Sequence, residues 1–177
     1  VCYSVISYQC AWLLTYYEAE WTAAFLDKEP ESRKEEAINI AKKFGFKLEP
    51  VNIKRSSSVW DIGEDERTLI QPLTSIKGLG DKAIEQIIEH RPFNSVEELL
   101  FSKEIVYSKL NKKALDVLIK AEAVDELIDD RFKNQKHFWL SVADNRPKTK
   151  KKLAENIEEF KGTEDFTRDE YIETKTN

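Results

Sequence analysis

The stretch Ile76-Lys77-Gly78-Leu79-Gly80-Asp81-Lys82-Ala83-Ile84 places the tightest constraint on this chain, because two of its five glycines stand there around a single leucine. Leu73 and Ile76 before the pair, and Leu79, Ala83, Ile84, Ile87 and Ile88 after it, recur at the three-and-four spacing of a helix face. Glycine tolerates positive φ and lets another molecule approach the main chain, so the pair predicts a tight turn between two helical pieces. Leu79 would anchor that turn. The helix expected to open near Asp81 leaves N–H groups unpaired in its first turn, where the helix dipole favours an anion. A phosphate fits such an end. Backbone N–H groups meet phosphate oxygens without consulting the base, so the expected contact positions a nucleic acid and does not read its sequence. Lys77 and Lys82 flank the turn with positive charge. No Gly-Lys-Ser/Thr follows, which excludes a Walker-type loop. The plain alternative is a helical hairpin whose glycines serve only the turn.

The rest of the chain reads mainly α. From Val1 to Leu26, aromatic and aliphatic residues from Val5 to Phe25 recur at helical spacing, one or two helices whose stripe reads first as core packing. Ser32-x-x-Glu35 has the form of a capping box for a helix through Ile38, Ile40, Ala41 and Phe44, which Gly45 ends. Between Lys47 and Leu73 the helical period is lost, and short strands or loops are expected around Val51-Ile53, Val59-Ile62 and Thr68-Gln71. Beyond the glycine pair, Pro92 breaks the helix, Ser95-x-x-Glu98 caps a short one, and Asn111 caps another through Leu115, Leu118 and Ile119. A second hairpin of the same type is expected over Leu110-Asp125. Glu122 stands where a turn glycine would help and would repel a phosphate, leaving Lys109, Lys112 and Lys113 for any DNA contact there.

Residues 131–152 carry Arg131, Lys133, Lys136, Arg146, Lys148, Lys150, Lys151 and Lys152 against Asp144 alone, and the chain from Leu153 onward is acidic. Such a run reads as a solvated helix face or mobile tail, with a phosphate-tracking surface as the sharper alternative. The expected organisation is a helical segment with a small β connector over 1–72, a hairpin block over 73–130 and a basic-then-acidic segment over 131–177. At 177 residues, 41% hydrophobic and 34% charged, the chain has room for one or two modest domains. It has no apolar run long enough for a bilayer and no signal peptide, so it is read as intracellular, without a membrane role. Cys2 and Cys10 lie about two helical turns apart, too far for a disulfide, and two histidines without nearby cysteines give no zinc spacing. No metal is expected. A chain that contains no Met and opens inside an apolar pattern reads as part of a longer protein. The formal charge of −5 does not exclude DNA, since local amides and lysines can bind phosphate while acidic stretches set the average.

The pattern from Leu73 to Ile88 is similar to the helix-hairpin-helix motif of many DNA-binding proteins. More of the chain resembles the C-family replicative DNA polymerases of bacteria, the alpha subunit of DNA polymerase III. "CYSVISYQCAWLLTYYEAEWTAAFL" looks like that family's fingers helix, with Tyr3, Tyr8, Gln9, Ala11, Trp12, Glu20, Ala23 and Ala24 fitting. "FGFKLEPVNIKRSS", "LIQPLTSIKGLGDKAIEQIIEHRPFNSVEEL" and "LNKKALDVLIKAEAVDEL" resemble its following segments in the same order, so the resemblance covers roughly Val1 to Leu127. Glu18 replaces a proline, Pro72 a glycine, Asn52 an aspartate and Glu122 the last hairpin glycine, which marks a divergent member, cellular or viral.

The resemblance implies a mainly α fold with a helical fingers segment, a small β connector and a tandem helix-hairpin-helix domain. It implies a piece of a DNA-directed DNA polymerase without the palm aspartates, hence no catalytic residue and no cofactor here, although the parent enzyme would use magnesium. Tyr3, with Ser7 and Gln9 near it, becomes the candidate for the incoming nucleotide. Lys77, Gly78, Leu79, Gly80, Lys82, Lys109, Lys112 and Lys113 become the candidates for duplex DNA. Implied partners are primer-template DNA, a deoxynucleoside triphosphate, the remaining polymerase domains and the sliding clamp, in the cytoplasm at the nucleoid or in a viral host. Two other readings are a stand-alone helix-hairpin-helix DNA-binding module and a protein-interaction scaffold whose basic run takes an acidic partner.

Overall fold

The computed structural model describes residues 2–170, so Val1 and the last part of the acidic tail lie outside the described residues. The fold is mainly α with one small sheet, and it divides into two compact units. The first comprises the chain up to Pro50 together with Ser56–Pro72, and the second comprises Val51–Arg55 together with the chain from Leu73.

In the first unit, α1 (Cys2–Tyr16) and α2 (Glu18–Lys28) break at Tyr17, whose backbone leaves helical geometry at φ −137° and ψ 56°. Helix α3 (Lys34–Lys43) packs on α2 through small residues: Ala19, Ala23, Ala37 and Ala41 are buried around Leu26. The α3 end forms a Schellman turn. Gly45 sits at φ +89°, its N–H reaches the Lys42 carbonyl at 3.0 Å, and the Phe46 N–H reaches Ala41 at 3.2 Å, which turns Phe46 into the core. The sheet follows in the order β1 (Lys47–Glu49), β3 (Thr68–Ile70), β2 (Asp61–Ile62), with β1 parallel and β2 antiparallel to β3. The Asp65 carboxylate accepts from the N–H groups of Arg67 and Thr68 and from the Thr68 hydroxyl, which closes the β2–β3 turn. Those hydrogen bonds, Arg67 first, hold its pKa below the ordinary aspartate value.

Of the short strands or loops expected between Lys47 and Leu73, Asp61–Ile62 and Thr68–Ile70 are strands, Val51–Ile53 is loop, and a further strand lies at Lys47–Glu49. Two expectations fail in this unit. The Ser32 capping box is not made, because Pro30 opens a 3₁₀ turn over Glu31–Arg33 and α3 starts after Arg33 without a side-chain cap. The aromatic stripe of α1 is not core: no residue of α1 is buried, Tyr3 is 87% exposed, and among the described residues Trp12 makes ring contacts only with Tyr16 and Tyr17. Helical spacing places those rings on a helix; it says nothing about what covers them.

The second unit is built around α4 (Asp81–His90), α5 (Val96–Phe101), α6 (Lys112–Lys120), α7 (Gln135–Trp139) and α8 (Lys150–Glu159). Ser95 Oγ accepts from the Glu98 N–H and Glu98 reaches back to the Asn94 N–H, so the expected cap of α5 is present. Val51–Arg55 is a strap over this unit. Ile53 is fully buried and its N–H donates to the Ala123 carbonyl at 2.8 Å, while Asn52 and Lys54 both reach the Glu126 carboxylate.

The basic run after Arg131 is folded, with Arg131, Lys133, Lys148, Lys150, Lys151 and Lys152 exposed as a solvated face. Phe132, Phe138, Val142, Ala143, Leu153 and Ile157 interleave with its charges and enter the core. Between α7 and α8, Leu140–Asp144 winds as a π-helix, and Asn156 of α8 donates its amide to the Ser141 and Asn145 carbonyls near its end. Arg131 joins Glu97 and Asp129, whose pKa values are lowered mainly by hydrogen bonds from its guanidinium. Buried His137 accepts the Lys133 N–H at Nδ1 and faces the Ile157 carbonyl with Nε2, an arrangement that requires the Nε2–H tautomer.

Candidate nucleic-acid interface

The glycine turn is present, with a shorter lead-in than expected. Leu73–Ser75 is a single 3₁₀ turn, after which Ile76 and Leu79 are buried and the chain reverses at Gly78. The two glycines differ in kind. Gly78 has φ +87°, and a Cβ there would stand 3.4 Å from Val117 Cγ1, so the fold itself demands it. Gly80 has φ −78° and ψ 152°, and a Cβ there would meet nothing within 4 Å. Neither backbone geometry nor packing within the described residues requires glycine at 80.

Gly80 is also the N-cap of α4. Its carbonyl accepts from Ala83 at 2.9 Å and Ile84 at 3.1 Å, but it has no side chain to reach back to the first turn. The N–H groups that begin α4 are therefore uncapped and the positive end of the helix dipole is open. Helix α6 starts differently: Asn111 Oδ1 accepts the Ala114 N–H at 2.9 Å, as its sequence position predicts, and partly seals that end.

The starts of α4 and α6 face one groove of about 650 Å³. Gly78, Gly80, Lys82, Lys109 and Lys113 all line it, so the fold brings together five of the eight residues expected to meet DNA. Lys82, Lys109 and Lys113 form no ion pair among the described residues. Asp81 and Glu85 share the rim and lower its net charge, while Ser108 is a polar wall residue that nothing in the sequence marked. The loop carrying Ser108 and Lys109 is tied to α4, because the buried Gln86 side chain accepts the Val106 N–H at 3.0 Å.

The other three candidates lie elsewhere. Leu79 is 8% exposed and anchors the turn from within the core. Lys77 is exposed and outside the groove lining, and Lys112 pairs with Asp144 at 3.0 Å. After α6 the chain turns at Glu122, φ +61°, and continues into a 3₁₀ turn at Asp125–Leu127 in place of a second long helix. That turn is covered by the Val51–Arg55 strap through the Ala123 carbonyl.

Tyr3, Ser7 and Gln9 are all exposed on α1. At about 100° per residue, Tyr3 and Ser7 share a side, whereas Gln9 stands roughly 120° around the helix from Tyr3. Among the described residues, no three His, Cys, Asp or Glu side chains gather as a metal site. Among them also, no helix is long and apolar enough to cross a membrane.

Residues 45–134, which include the strap, the sheet and the whole groove, match the helix-hairpin-helix motif family. The chain is similar to "DNA polymerase III subunit alpha" of Helicobacter pylori, 33% identical over 137 residues, covering 71% of this chain and 11% of that protein. The protein of the same name from Deinococcus radiodurans is 34% identical over 129 residues, 70% of this chain and 9% of that one. For Pseudomonas aeruginosa the figures are 30% over 150 residues, 81% and 12%. The chain thus spans about a tenth of the length of these relatives.

Proposed function

The chain belongs to the helix-hairpin-helix family and is kin to part of the DNA polymerase III alpha subunit, and from that premise we propose that it grips duplex DNA through the groove between α4 and α6. A phosphate sits at the uncapped start of α4 against Gly80, with Lys82, Lys109 and Lys113 around it. Lys77 and Lys112 add weaker, peripheral charge, and Leu79 holds the turn in shape. The observation that carries this reading is Gly80, whose missing side chain serves no need of the fold. Binding of this kind is independent of sequence and falls steeply with salt, by a slope of about 0.9 per phosphate neutralised.

Within a polymerase of the relatives' length, this grip would hold primer-template DNA while the aromatic side of α1 meets the incoming nucleotide or neighbouring parts of the enzyme. Tyr3 is the stacking candidate, with Ser7 on the same side of the helix. Catalytic carboxylates and their magnesium ions belong, on this reading, to other parts of such an enzyme.

The test is binding of a fluorescent random-sequence duplex at low salt to the chain and to Gly80→Glu. Gly78 is left intact because its φ of +87° would make a substitution there a folding variant. Gly80→Glu keeps the helix content measured by circular dichroism and loses most duplex affinity. Unchanged affinity in the folded variant would remove the groove from the interface.

A further inference from the structure

A second cavity, of about 370 Å³, adjoins the loop that carries Lys109. Leu100, Phe101 and Pro147 give it an apolar wall, Tyr107 an aromatic one, and Arg146 and Lys148 two cations. Arg146 is the unusual member. Its side chain is half-buried, its Cζ lies 4.0 Å from the centre of the Tyr107 ring, and its Nη1 donates to the Leu110 carbonyl. No carboxylate pairs with it among the described residues, whereas Arg67 and Arg131 both have carboxylate partners. Burial accordingly pulls the Arg146 pKa below the ordinary arginine value. A guanidinium has five N–H donors, and a partly desolvated cation without a counter-ion is costly. An anion from outside the chain would supply what the fold does not.

The walls say what that anion is attached to. An apolar and aromatic surface beside two cations suits a flat ring carrying a phosphate. In a duplex each base is stacked on its neighbours and its faces are hidden, so only an unpaired nucleotide can present ring and phosphate together. Tyr107 is 58% exposed, which leaves ring surface open beside the Arg146 contact. Tyr107 runs directly into Ser108 and Lys109, which line the duplex groove, so the two sites share one loop.

We propose that this cavity holds an unpaired nucleotide of single-stranded DNA, with the phosphate on Arg146 and Lys148 and the base against Tyr107 and the Leu100–Phe101–Pro147 wall. The proposal rests on the DNA-binding reading above and extends it: the groove takes duplex and the cavity takes a strand that has left it. The contact is tolerant of base identity, because every base offers a π-face.

The test measures fluorescence anisotropy of three probes against the full chain: an oligothymidylate, an abasic oligomer of equal length, and a blunt duplex. Tyr107→Ala and Lys148→Glu are compared with Arg146→Gln, each checked by circular dichroism; Lys148 is exposed and in no ion pair among the described residues, so its replacement does not threaten the fold. Oligothymidylate affinity falls roughly tenfold in Tyr107→Ala and in Lys148→Glu, while duplex affinity stays within about twofold. Abasic binding is weak and insensitive to Tyr107→Ala. If folded variants bind oligothymidylate as the parent does, or if the abasic oligomer binds equally well, the proposal is overturned while the duplex reading stands. If the parent chain binds neither duplex nor single strand, both fall together.

Discussion

Glu122 offers the sharpest energetic test of this fold. It occupies the left-handed position of the Schellman turn that ends α6: its N–H reaches Ile119 at 3.0 Å, the next N–H, from Ala123, reaches Leu118 at 3.1 Å, and φ is +61°. Gly45 fills the same role after α3 at φ +89°. An L-residue held in this region costs about 1–2 kcal/mol. Glycine removes that cost but loses roughly 0.5–1 kcal/mol more backbone entropy on folding. The net gain of glycine over a residue with a Cβ is therefore about 1 kcal/mol at this site. Comparing Glu122→Gly with Glu122→Ala isolates it, since both variants lose the carboxylate and whatever it touches, and only one keeps the Cβ. Thermal unfolding followed by far-ultraviolet ellipticity should place the glycine variant about 2–4 °C above the alanine variant. An alanine variant as stable as the glycine one would refute the assignment of strain to this backbone position.

Leu79→Ala removes the buried anchor of the glycine turn and should cost about 2–4 kcal/mol in urea denaturation, with weaker duplex binding at concentrations where the chain remains folded. Asn111→Ala deletes the α6 cap, lowering stability by about 1 kcal/mol. Lys112→Ala breaks only a surface pair with Asp144, so duplex affinity should fall less than in Lys82→Ala, Lys109→Ala or Lys113→Ala; an equal or larger fall would bring Lys112 into the interface. Glu97 and Asp129 are held below their ordinary pKa values by Arg131, so their contribution is present above the ordinary carboxylate range and is lost as pH falls through the lowered folded values. Acid unfolding below about pH 4 should be shallower in Arg131→Met than in the parent chain, by a small amount because the cluster is largely exposed.

What the sequence disclosed and what it hid follow from the range of each signal. The glycine turn, the Ser95 and Asn111 caps and the apolar faces of α4 and α6 depend on neighbours within a few positions, and they appear where expected. Val51-Asn52-Ile53 shows the limit of such reading: the lost helical period marks a short strand or loop, and nothing nearby in the sequence says that Val51 and Ile53 enter a distant helical core. The α1 rings were expected in a core and lie in solvent, whereas most charges of the basic run lie on a solvated face, one of the expected readings, and the apolar residues among them enter the core. In each case the pattern gave one face its character and left its covering to residues far along the chain. In the sequence Arg146 is one charge in a run, and its lack of a carboxylate partner among the described residues is visible only once Tyr107 and Leu110 stand beside it.

The strap has a consequence for the order of folding. Asn52 and Glu126, which it joins, are 74 positions apart, and the chain between them returns to the first unit before it builds the second. During synthesis, the buried niche for Ile53 does not exist until Ala123 has emerged, so the early segment must wait with an apolar side chain uncovered while α4, α5 and α6 form. Closing that long loop is a slow, late event compared with the formation of local turns. No single cut between residues 50 and 73 would yield two intact pieces: a chain begun at Leu73 keeps the groove residues but leaves open the seat of Val51 and Ile53, and deleting 51–55 alone should unsettle the helices without touching a residue of the groove between α4 and α6.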